Sequence, residues 1–249
     1  MATQDYAASV QGVAVRITAL QSNGALSTTA GDSIVTSAFT RVSFTPEYEE
    51  GDEITEKGAD GAVCVTYKAP DTLKRVNFEI AICEPDPEIT HLLGGGVLLT
   101  DGSPITSQGW ASPGIGEDPT PYGVAIEVWS RAIQGGKAAN TNPYFHWVFP
   151  YVKTRASGDR VIENGLLANT FEGFGVGNAA FDEGPDGRWN WPDVADRAYM
   201  YARSSWAPVG LKGAYTWNTT TGVGTAVSTI TDPGAGISSS DDIYDANGA

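Results

Sequence analysis

The sequence predicts a mainly β protein built as one domain, and three observations lead there. Glycine (30 residues) and proline (14 residues) are abundant, which favours turns. Val, Thr, Ile and aromatic residues recur in short alternating runs, whereas charged residues make up only 18% of the chain. No internal repeat and no clear linker divides the 249 residues, a size that is ordinary for a single all-β domain.

The first third of the chain alternates apolar and polar residues, the period of half-buried strands. These patterns predict strands over residues 13–17, 38–44, 62–67 and 73–83. In the fourth strand every second residue from Val76 to Ile82 is apolar, so this face is expected to point into the core. Glycine-containing breaks at residues 22–24 and 30–32 separate the first two strands.

An acidic arm, residues 45–61, lies between the second and third of these strands. It carries six carboxylates from Glu47 to Glu56 and one lysine, Lys57, too much charge for a core of its own. Long excursions between strands often reach something outside the fold. We therefore expect the arm to contact an adjacent subunit and to become ordered there, with Tyr48 and Ile54 as apolar anchors.

A short helix is predicted after the fourth strand. Asp86 is a good N-cap, Pro87 suits the first helical position and Glu88 places an acid in the first turn. Ile89, Leu92 and Leu93 form an apolar stripe, and three glycines at residues 94–96 end the helix after roughly two turns.

The second half of the chain is less regular. Residues 100–122 are rich in Gly, Pro and Ser and are predicted to form a long loop. Strands are predicted at residues 124–133, 144–153, 165–173 and 198–203. Pro150, within the second of these, indicates a sheet edge or a bulge. The Thr-, Ser- and Gly-rich residues 219–249 are predicted to be a C-terminal arm that follows a single domain over residues 1–218.

Charge and the N-terminus exclude several classes of protein. A formal net charge of −15 is the opposite of what a nucleic-acid binder needs to replace phosphate counterions. The first residues lack the pattern of a signal peptide, and no apolar run reaches transmembrane length, so no membrane is expected. The two cysteines, Cys64 and Cys83, are interpreted as free, buried thiols, although a bridge between them stays open.

Candidate catalytic and ligand sites are weak. His91 and His146 have no second ligand at metal-binding spacing, and no Gly-x-Ser-x-Gly motif is present. The glycines at residues 173–177 do not match a dinucleotide loop, and the carboxylates of the arm do not match an EF-hand. Aromatic residues around Trp189 and Tyr201 would suit a sugar site, but core and interface roles are the commoner use. We expect no catalytic residues, no cofactor and no metal.

Residues 4–6, 11–16, 38–51, 64–75 and 80–88 together form a pattern that resembles the major tail protein of long-tailed, siphovirus-type bacteriophages. This protein is the tail tube subunit, and the likeness is greatest to those of phages that infect actinobacteria. It is strong over residues 1–96 and diffuse beyond.

The resemblance implies a β-sandwich or barrel-like fold with one flanking helix, long loops and terminal arms. It also implies a structural virion protein whose subunits form hexameric rings stacked into a tube, the conduit for the genome. The expected partners are other copies of this chain, the tape measure, tail terminator and distal tail proteins, and double-stranded DNA that passes without specific binding. The expected location is the virion tail, after assembly in the host cytoplasm.

Two alternatives stay open at this point. One is a minor tail or head–tail connector protein of the same fold. The other, from a different class, is a secreted carbohydrate-binding or glycosidase β-sandwich that would use the tryptophan-rich region.

Inter-subunit contacts are expected to pair the acidic arm with the basic residues of the chain. On the arm the candidates are Glu47, Tyr48, Glu49, Glu50, Asp52, Glu53, Ile54 and Glu56. The basic candidates are Lys68, Lys74, Arg75, Lys153, Arg155 and Arg160.

Overall fold

The structure, a computed structural model, describes residues 7–27, 32–83, 86–101, 106–139, 142–158, 169–181, 196–205, 207–208, 212–218 and 223–226. Its strands are β1 (Ala8–Ala19), β2 (Ser33–Thr36), β3 (Phe39–Glu49), β4 (Glu53–Lys57), β5 (Val63–Lys68), β6 (Thr72–Ile82), β7 (Val97–Asp101), β8 (Thr106–Ala111), β9 (Val124–Gln134), β10 (Lys137–Ala138), β11 (Tyr144–Ser157), β12 (Asn169–Val176), β13 (Met200–Ser204), β14 (Lys212–Asn218) and β15 (Val223–Ala226). One helix, α1 (Pro87–Gly94), lies among the described residues. The mainly β fold predicted from the sequence is confirmed.

One large antiparallel sheet organises the described chain. It contains 11 strands in the order β15-β14-β2-β1-β9-β11-β12-β6-β3, with β10 paired to β9 and β13 paired to β11. The hairpins β4–β5 and β7–β8 form separate two-stranded sheets. The strand β3 therefore stands at one end of the large sheet, with β6 as its neighbour.

The sheet folds over itself, so strands distant in its order pack face to face in a sandwich-like arrangement. The Phe44 ring on β3 lies 5.1 Å from that of Phe149 on β11, and Phe78 on β6 lies 5.0 Å from the same ring. At one end of this layer Phe39 crosses Gly12 of β1, where a Cβ atom would come within 2.5 Å of the phenyl ring. Gly12 thus allows the two layers to approach each other closely.

The main core lies between these layers and follows the predicted alternation. Val76, Phe78, Ile80 and Ile82 are all buried on one face of β6, as expected. Opposite them are buried residues of β1, β9 and β11, including Ile17, Ile126 and Phe149. The helix α1 closes this core with Ile89 and Leu93.

The helix begins and ends as its sequence predicts. The Asp86 side chain accepts hydrogen bonds from the backbone amides of Glu88 (2.8 Å) and Ile89 (3.4 Å), the role of an N-cap. Gly95 follows the last helical residue with φ of 67°, a conformation that glycine adopts without strain. Pro150 also behaves as predicted, because the register between β11 and β9 shifts between Phe149 and Val152.

The structure differs in detail from what the sequence predicted. The expected loop at 100–122 contains the end of β7 and all of β8, which pair as a hairpin. Neither strand alternates, because β7 begins with three apolar residues in a row and β8 is mostly polar. The strand β2 was not predicted, because it is only four residues long and buried throughout. The strand β15 lies within the predicted C-terminal arm, of which residues 219–222 and 227–249 are outside the described residues. Cys64 is exposed rather than buried, because β5 stands outside the core, and both cysteines are free.

Candidate assembly surfaces

The acidic arm contains the end of β3 and the strand β4, which forms a β-hairpin with β5. β3 pairs with β6 as far as Glu49 and Thr72, and β4 then pairs with β5 from Glu53 to Lys57. The two ladders are joined where the Ala69 amide donates to the Asp52 carbonyl oxygen at 2.9 Å. The strand β5 and the first part of β3 were predicted, whereas β4 and the end of β3 were not, because their side chains are mostly charged. The backbone hydrogen bonds that form a hairpin do not depend on burial.

The β4–β5 hairpin exposes apolar side chains on one face. Ile54 lies opposite Tyr67 and Glu56 lies opposite Val65, so these side chains project to the same side. Ile54, Val65 and Tyr67 are each more than 50% exposed. The other face carries the paired threonines Thr55 and Thr66. Exposed apolar clusters of this kind are typical of protein interaction sites.

Most of the predicted acidic candidates lie along this hairpin and its base. Tyr48, Glu49, Glu50, Asp52, Glu53, Ile54 and Glu56 are all exposed. Glu47 differs, because its carboxylate accepts hydrogen bonds from Arg75 at 2.8 Å and from Asn77 at 3.0 Å. These two donors, led by Arg75, lower the pKa of the Glu47 carboxyl group.

The basic candidates are mostly paired within the chain. Lys68 lies 3.8 Å from Asp71, and Arg75 pairs with Glu47. Lys153 and Arg155, on β11, have partners of their own on the same face as Arg75. Lys74 is exposed, and Arg160 lies outside the described residues. The structure thus brings Arg75 and Glu47 together in one subunit, where the sequence analysis expected such pairs across an interface.

These basic residues belong to a larger surface, which we call the ion-paired face. It is the side of β3, β6, β12 and β11 that points away from the core. It contains four ion pairs: Arg41–Glu79, Arg75–Glu47, Lys153–Asp118 and Arg155–Glu172. A hollow of about 580 Å³ opens on this face between Thr45, Arg75, Lys153 and Glu172.

Strand register explains how the ion-paired face is built. Arg155 on β11 lies opposite Glu172 on β12, and Glu172 lies opposite Glu79 on β6. Arg41 on β3 pairs with Glu79, so a row of charges crosses four strands with cations at its ends. The Glu172 carboxyl group has a lowered pKa because the Ser157 hydroxyl and the Arg155 guanidinium donate to it. Lys153 lowers the pKa of Asp118 in the same way, chiefly through its hydrogen bond.

Close packing between β11 and β12 fixes this register. A Cβ atom on Gly173 would come within 2.0 Å of the Lys153 carbonyl oxygen, so the position needs glycine. Gly173 therefore serves strand packing, and β12 continues through Gly173 and Gly175 to Val176.

A second charged cluster is buried, and the sequence analysis did not find it. Arg16 on β1 donates to Glu127 on β9 through Nε and, at 3.0 Å, through Nη2. The Nε2 atom of His146 on β11 lies 2.9 Å from Glu127 Oε1, the oxygen that also accepts from Arg16 Nη2. The His146 ring stacks on Trp129, with ring centroids 4.3 Å apart. Each member of the Arg16–Glu127 pair is 1% exposed. Arg16 and Glu127 alternate with apolar residues along β1 and β9. This pattern would have suggested that both side chains point outward into solvent.

His91 lies in α1, as predicted. Tyr199 packs on Phe44 and Tyr201 stacks on Trp147, while Trp189, Trp191 and Trp206 of the proposed sugar site lie outside the described residues. Across the described segments, no group of three or more His, Cys, Asp or Glu side chains could hold a metal ion. No helix in these segments has the length and apolar character that crossing a membrane requires.

No family model matches the chain, and no curated protein matches it in sequence.

Proposed function

We propose that the chain is a structural virion protein, the tail tube subunit of a siphovirus-type bacteriophage. Copies of it assemble into hexameric rings, and the rings stack into the tube through which the genome leaves the particle. The observation that carries this proposal is the β4–β5 hairpin, which exposes Ile54, Val65 and Tyr67 at the end of the long β3–β6 ladder. Such a projecting apolar surface would promote aggregation of a monomer, whereas in an assembly it can be buried against a neighbouring subunit.

The sheet edge at β3 supports the same proposal. Among the described residues no strand pairs with β3 on the side away from β6, and a strand of another subunit would pair there. Because the two ends of the sheet are different strands, β3 and β15, a contact between them would be head-to-tail. Head-to-tail contacts close into rings when the rotation per subunit allows it.

The hairpin would then contact a neighbouring copy through its apolar face and its acidic residues. Glu47 is engaged with Arg75 in its own subunit, so the acids left for this contact are Glu49, Glu50, Asp52, Glu53 and Glu56. The further partners would be the tape measure, tail terminator and distal tail proteins. The subunit would be assembled in the host cytoplasm and reside in the virion tail.

A pair of matched variants tests this proposal. Ile54→Asp with Tyr67→Asp places two carboxylates on the apolar face of the hairpin. Thr55→Asp with Thr66→Asp adds the same charge to the neighbouring pair on the opposite face. Negative-stain electron microscopy and sedimentation should find tubes for the wild-type protein and for the threonine variant, and soluble subunits for the first variant.

Three results would contradict the proposal. They are a wild-type protein that stays monomeric, equal assembly of the two variants, and a native virion in which the chain decorates the capsid. A closed ring that never stacks would favour the head–tail connector alternative.

A further inference from the structure

We propose that the chain binds a neutral sugar ring in a cleft at one end of the sandwich. The cleft has a volume of about 390 Å³ and lies between β1, β3, β9 and β11. Small-molecule sites have volumes of about 300–1,000 Å³ and are lined mostly by apolar side chains with a few polar groups. The inference goes beyond the proposed function and does not depend on it.

The first step is the aromatic wall of the cleft, to which Phe39 and Phe44 on β3 and Trp147 on β11 contribute. The ring centroids of Phe44 and Trp147 are 5.3 Å apart, so the two rings form one continuous surface. Tyr201 on β13 stacks on Trp147 at 4.6 Å and is 58% exposed, which extends the aromatic surface toward solvent. Aromatic rings provide a large, flat apolar area. The C–H groups on one side of a pyranose ring form an apolar face that matches it.

The second step is a set of uncharged polar groups beside this wall. The hydroxyl groups of Ser9 and Ser130 lie 2.6 Å apart at the cleft. Since one of them donates to the other, the pair keeps one hydrogen and several lone pairs for a ligand. Gln11 also lines the cleft and is exposed, so its amide group can both donate to and accept from a ligand. The hydroxyl groups of a sugar need partners of both kinds.

The third step is the backbone that places Gln11. The register between β1 and β9 shifts between Val10 and Gly12, so Gln11 is the extra residue of a β-bulge. Its φ of 49° lies in the left-handed region, which residues with a Cβ atom rarely adopt. Bulges that redirect one side chain, and strained residues of this kind, are concentrated at binding and catalytic sites. Gly12, next in the chain, lets the Phe39 ring cross β1 and so brings the aromatic wall close to the polar groups.

The fourth step is charge, which selects a neutral ligand. Of the described residues that line the cleft, only Arg41 carries a charge, and its guanidinium group is paired with Glu79. A charged ligand would lose water without gaining an unpaired ion of opposite sign. A purely apolar ligand would leave the serine hydroxyls and the Gln11 amide with unused hydrogen-bonding capacity. A pyranose ring, with an apolar face and hydroxyl groups around its edge, suits both walls of the cleft.

Ligand-detected saturation-transfer NMR on the soluble full chain tests this inference. The probes are the methyl glycosides of glucose, galactose, mannose and N-acetylglucosamine, together with the anion glucuronate and the apolar analogue cyclohexylmethanol. We expect at least one neutral glycoside to bind with a Kd on the order of 1 mM, as suits a ligand of this size. Glucuronate and cyclohexylmethanol should bind at least about tenfold more weakly, because a site built for neutral hydroxyl groups rejects analogues that lack them.

Two variants and one control assign the binding to the cleft. Gln11→Gly removes the amide group and suits the positive φ, so this variant should fold at least as stably as wild type and bind the glycoside about fivefold more weakly. Tyr201→Ala removes the exposed ring and should also weaken binding. Its matched control is Tyr122→Ala, which removes a comparably exposed tyrosine just before β9 begins and should bind as wild type does.

Three results would overturn the inference. If no neutral glycoside binds the wild-type protein, the cleft is not a sugar site. If cyclohexylmethanol or glucuronate binds as tightly as the glycosides, the cleft selects a ligand of another class. If Gln11→Gly and Tyr201→Ala bind as Tyr122→Ala does, the sugar binds elsewhere on the chain. All of these measurements use soluble subunits, so a chain that binds glycosides and forms no tubes would contradict the proposed function alone.

Discussion

Two arginine–glutamate pairs in this molecule have the same strand geometry and opposite surroundings. Arg16 lies directly opposite Glu127 on neighbouring antiparallel strands, and Arg155 lies directly opposite Glu172 in the same way. The side chains of the first pair are 1% and 1% exposed, and those of the second are 70% and 44% exposed. Any difference in what the two pairs contribute to the free energy of unfolding therefore comes from burial rather than from backbone geometry.

Burial changes what each pair contributes. At the surface, water competes for both ions and salt screens them, so such a pair affects the charge pattern more than stability. Inside the protein, both ions have lost their hydration, and each becomes costly when its partner is missing. Phe181 and Ala207 help to cover the face of β1, β9 and β11 on which the buried pair lies. We therefore expect the Arg16–Glu127 pair to control stability and the Arg155–Glu172 pair to control surface chemistry.

The largest effect is expected from Glu127→Leu. This change leaves the Arg16 guanidinium buried without its counterion, and it should lower the free energy of unfolding by about 3–5 kcal/mol. Urea denaturation measures it. Adding Arg16→Met removes the orphaned charge, so the double variant should recover most of the loss. A single variant within about 1 kcal/mol of wild type would show that burial does not distinguish the two pairs.

The next effect is a dependence of stability on pH. Desolvation would by itself raise the pKa of Glu127, but the charge of Arg16 and the hydrogen bond from His146 outweigh it and lower the pKa from 4.5 to about 2. A carboxyl group with a lowered folded-state pKa stabilises the protein above its unfolded value, and this contribution is lost as the pH falls toward the folded value.

Wild-type protein should accordingly lose roughly 3 kcal/mol more than Glu127→Gln as the pH falls from 4.5 to about 2. Denaturation series at several pH values provide the comparison, because the other carboxyl groups titrate in both proteins. Parallel stability curves for the two proteins would argue that Glu127 is not held ionised by Arg16.

A smaller effect is expected from His146→Phe. Phenylalanine preserves the stack on Trp129 but removes the hydrogen bond to Glu127, so the Oε1 atom of this buried carboxylate keeps Arg16 Nη2 and loses His146. A loss of about 1–3 kcal/mol should follow. His146→Gln reverses the test, since it keeps a donor and removes the stack. If the phenylalanine variant is the more stable of the two, the histidine serves packing rather than the carboxylate.

The sequence predicted the part of the fold that depends on local patterns. The apolar face of β6, the N-cap at Asp86 and the bulge at Pro150 each follow from residues close together in the chain. Alternation and capping act over a few residues, so one sequence is enough to find them. The short strand β2 was not predicted, because it is buried on both faces and so shows no alternation of apolar and polar residues.

The charged sites could not be found in this way. Arg16 and Glu127 are 111 positions apart, and only the pairing of β1 with β9 brings them together. The same limit applies to the ion-paired face, where the sequence shows a scatter of lysines and arginines and the strand register matches each to a carboxylate. The charged residues in the sequence suggested an interface between subunits, whereas the folded chain pairs many of them with one another inside one subunit.

The smallest effect is expected from Glu172→Gln, and it completes the comparison. This carboxylate accepts hydrogen bonds from Arg155 at 2.8 and 3.2 Å, but both side chains stand in water, which replaces the lost partner at little cost. Its neighbour Glu79 lies directly opposite, so removing one of two like charges offsets part of the loss. The free energy of unfolding should change by less than about 1 kcal/mol. Glu127→Gln, measured in parallel, makes the identical chemical change in the buried pair and should cost several times more, because the arginine it leaves behind has no access to water. Equal losses in the two variants would mean that strand geometry, rather than burial, sets the strength of these pairs.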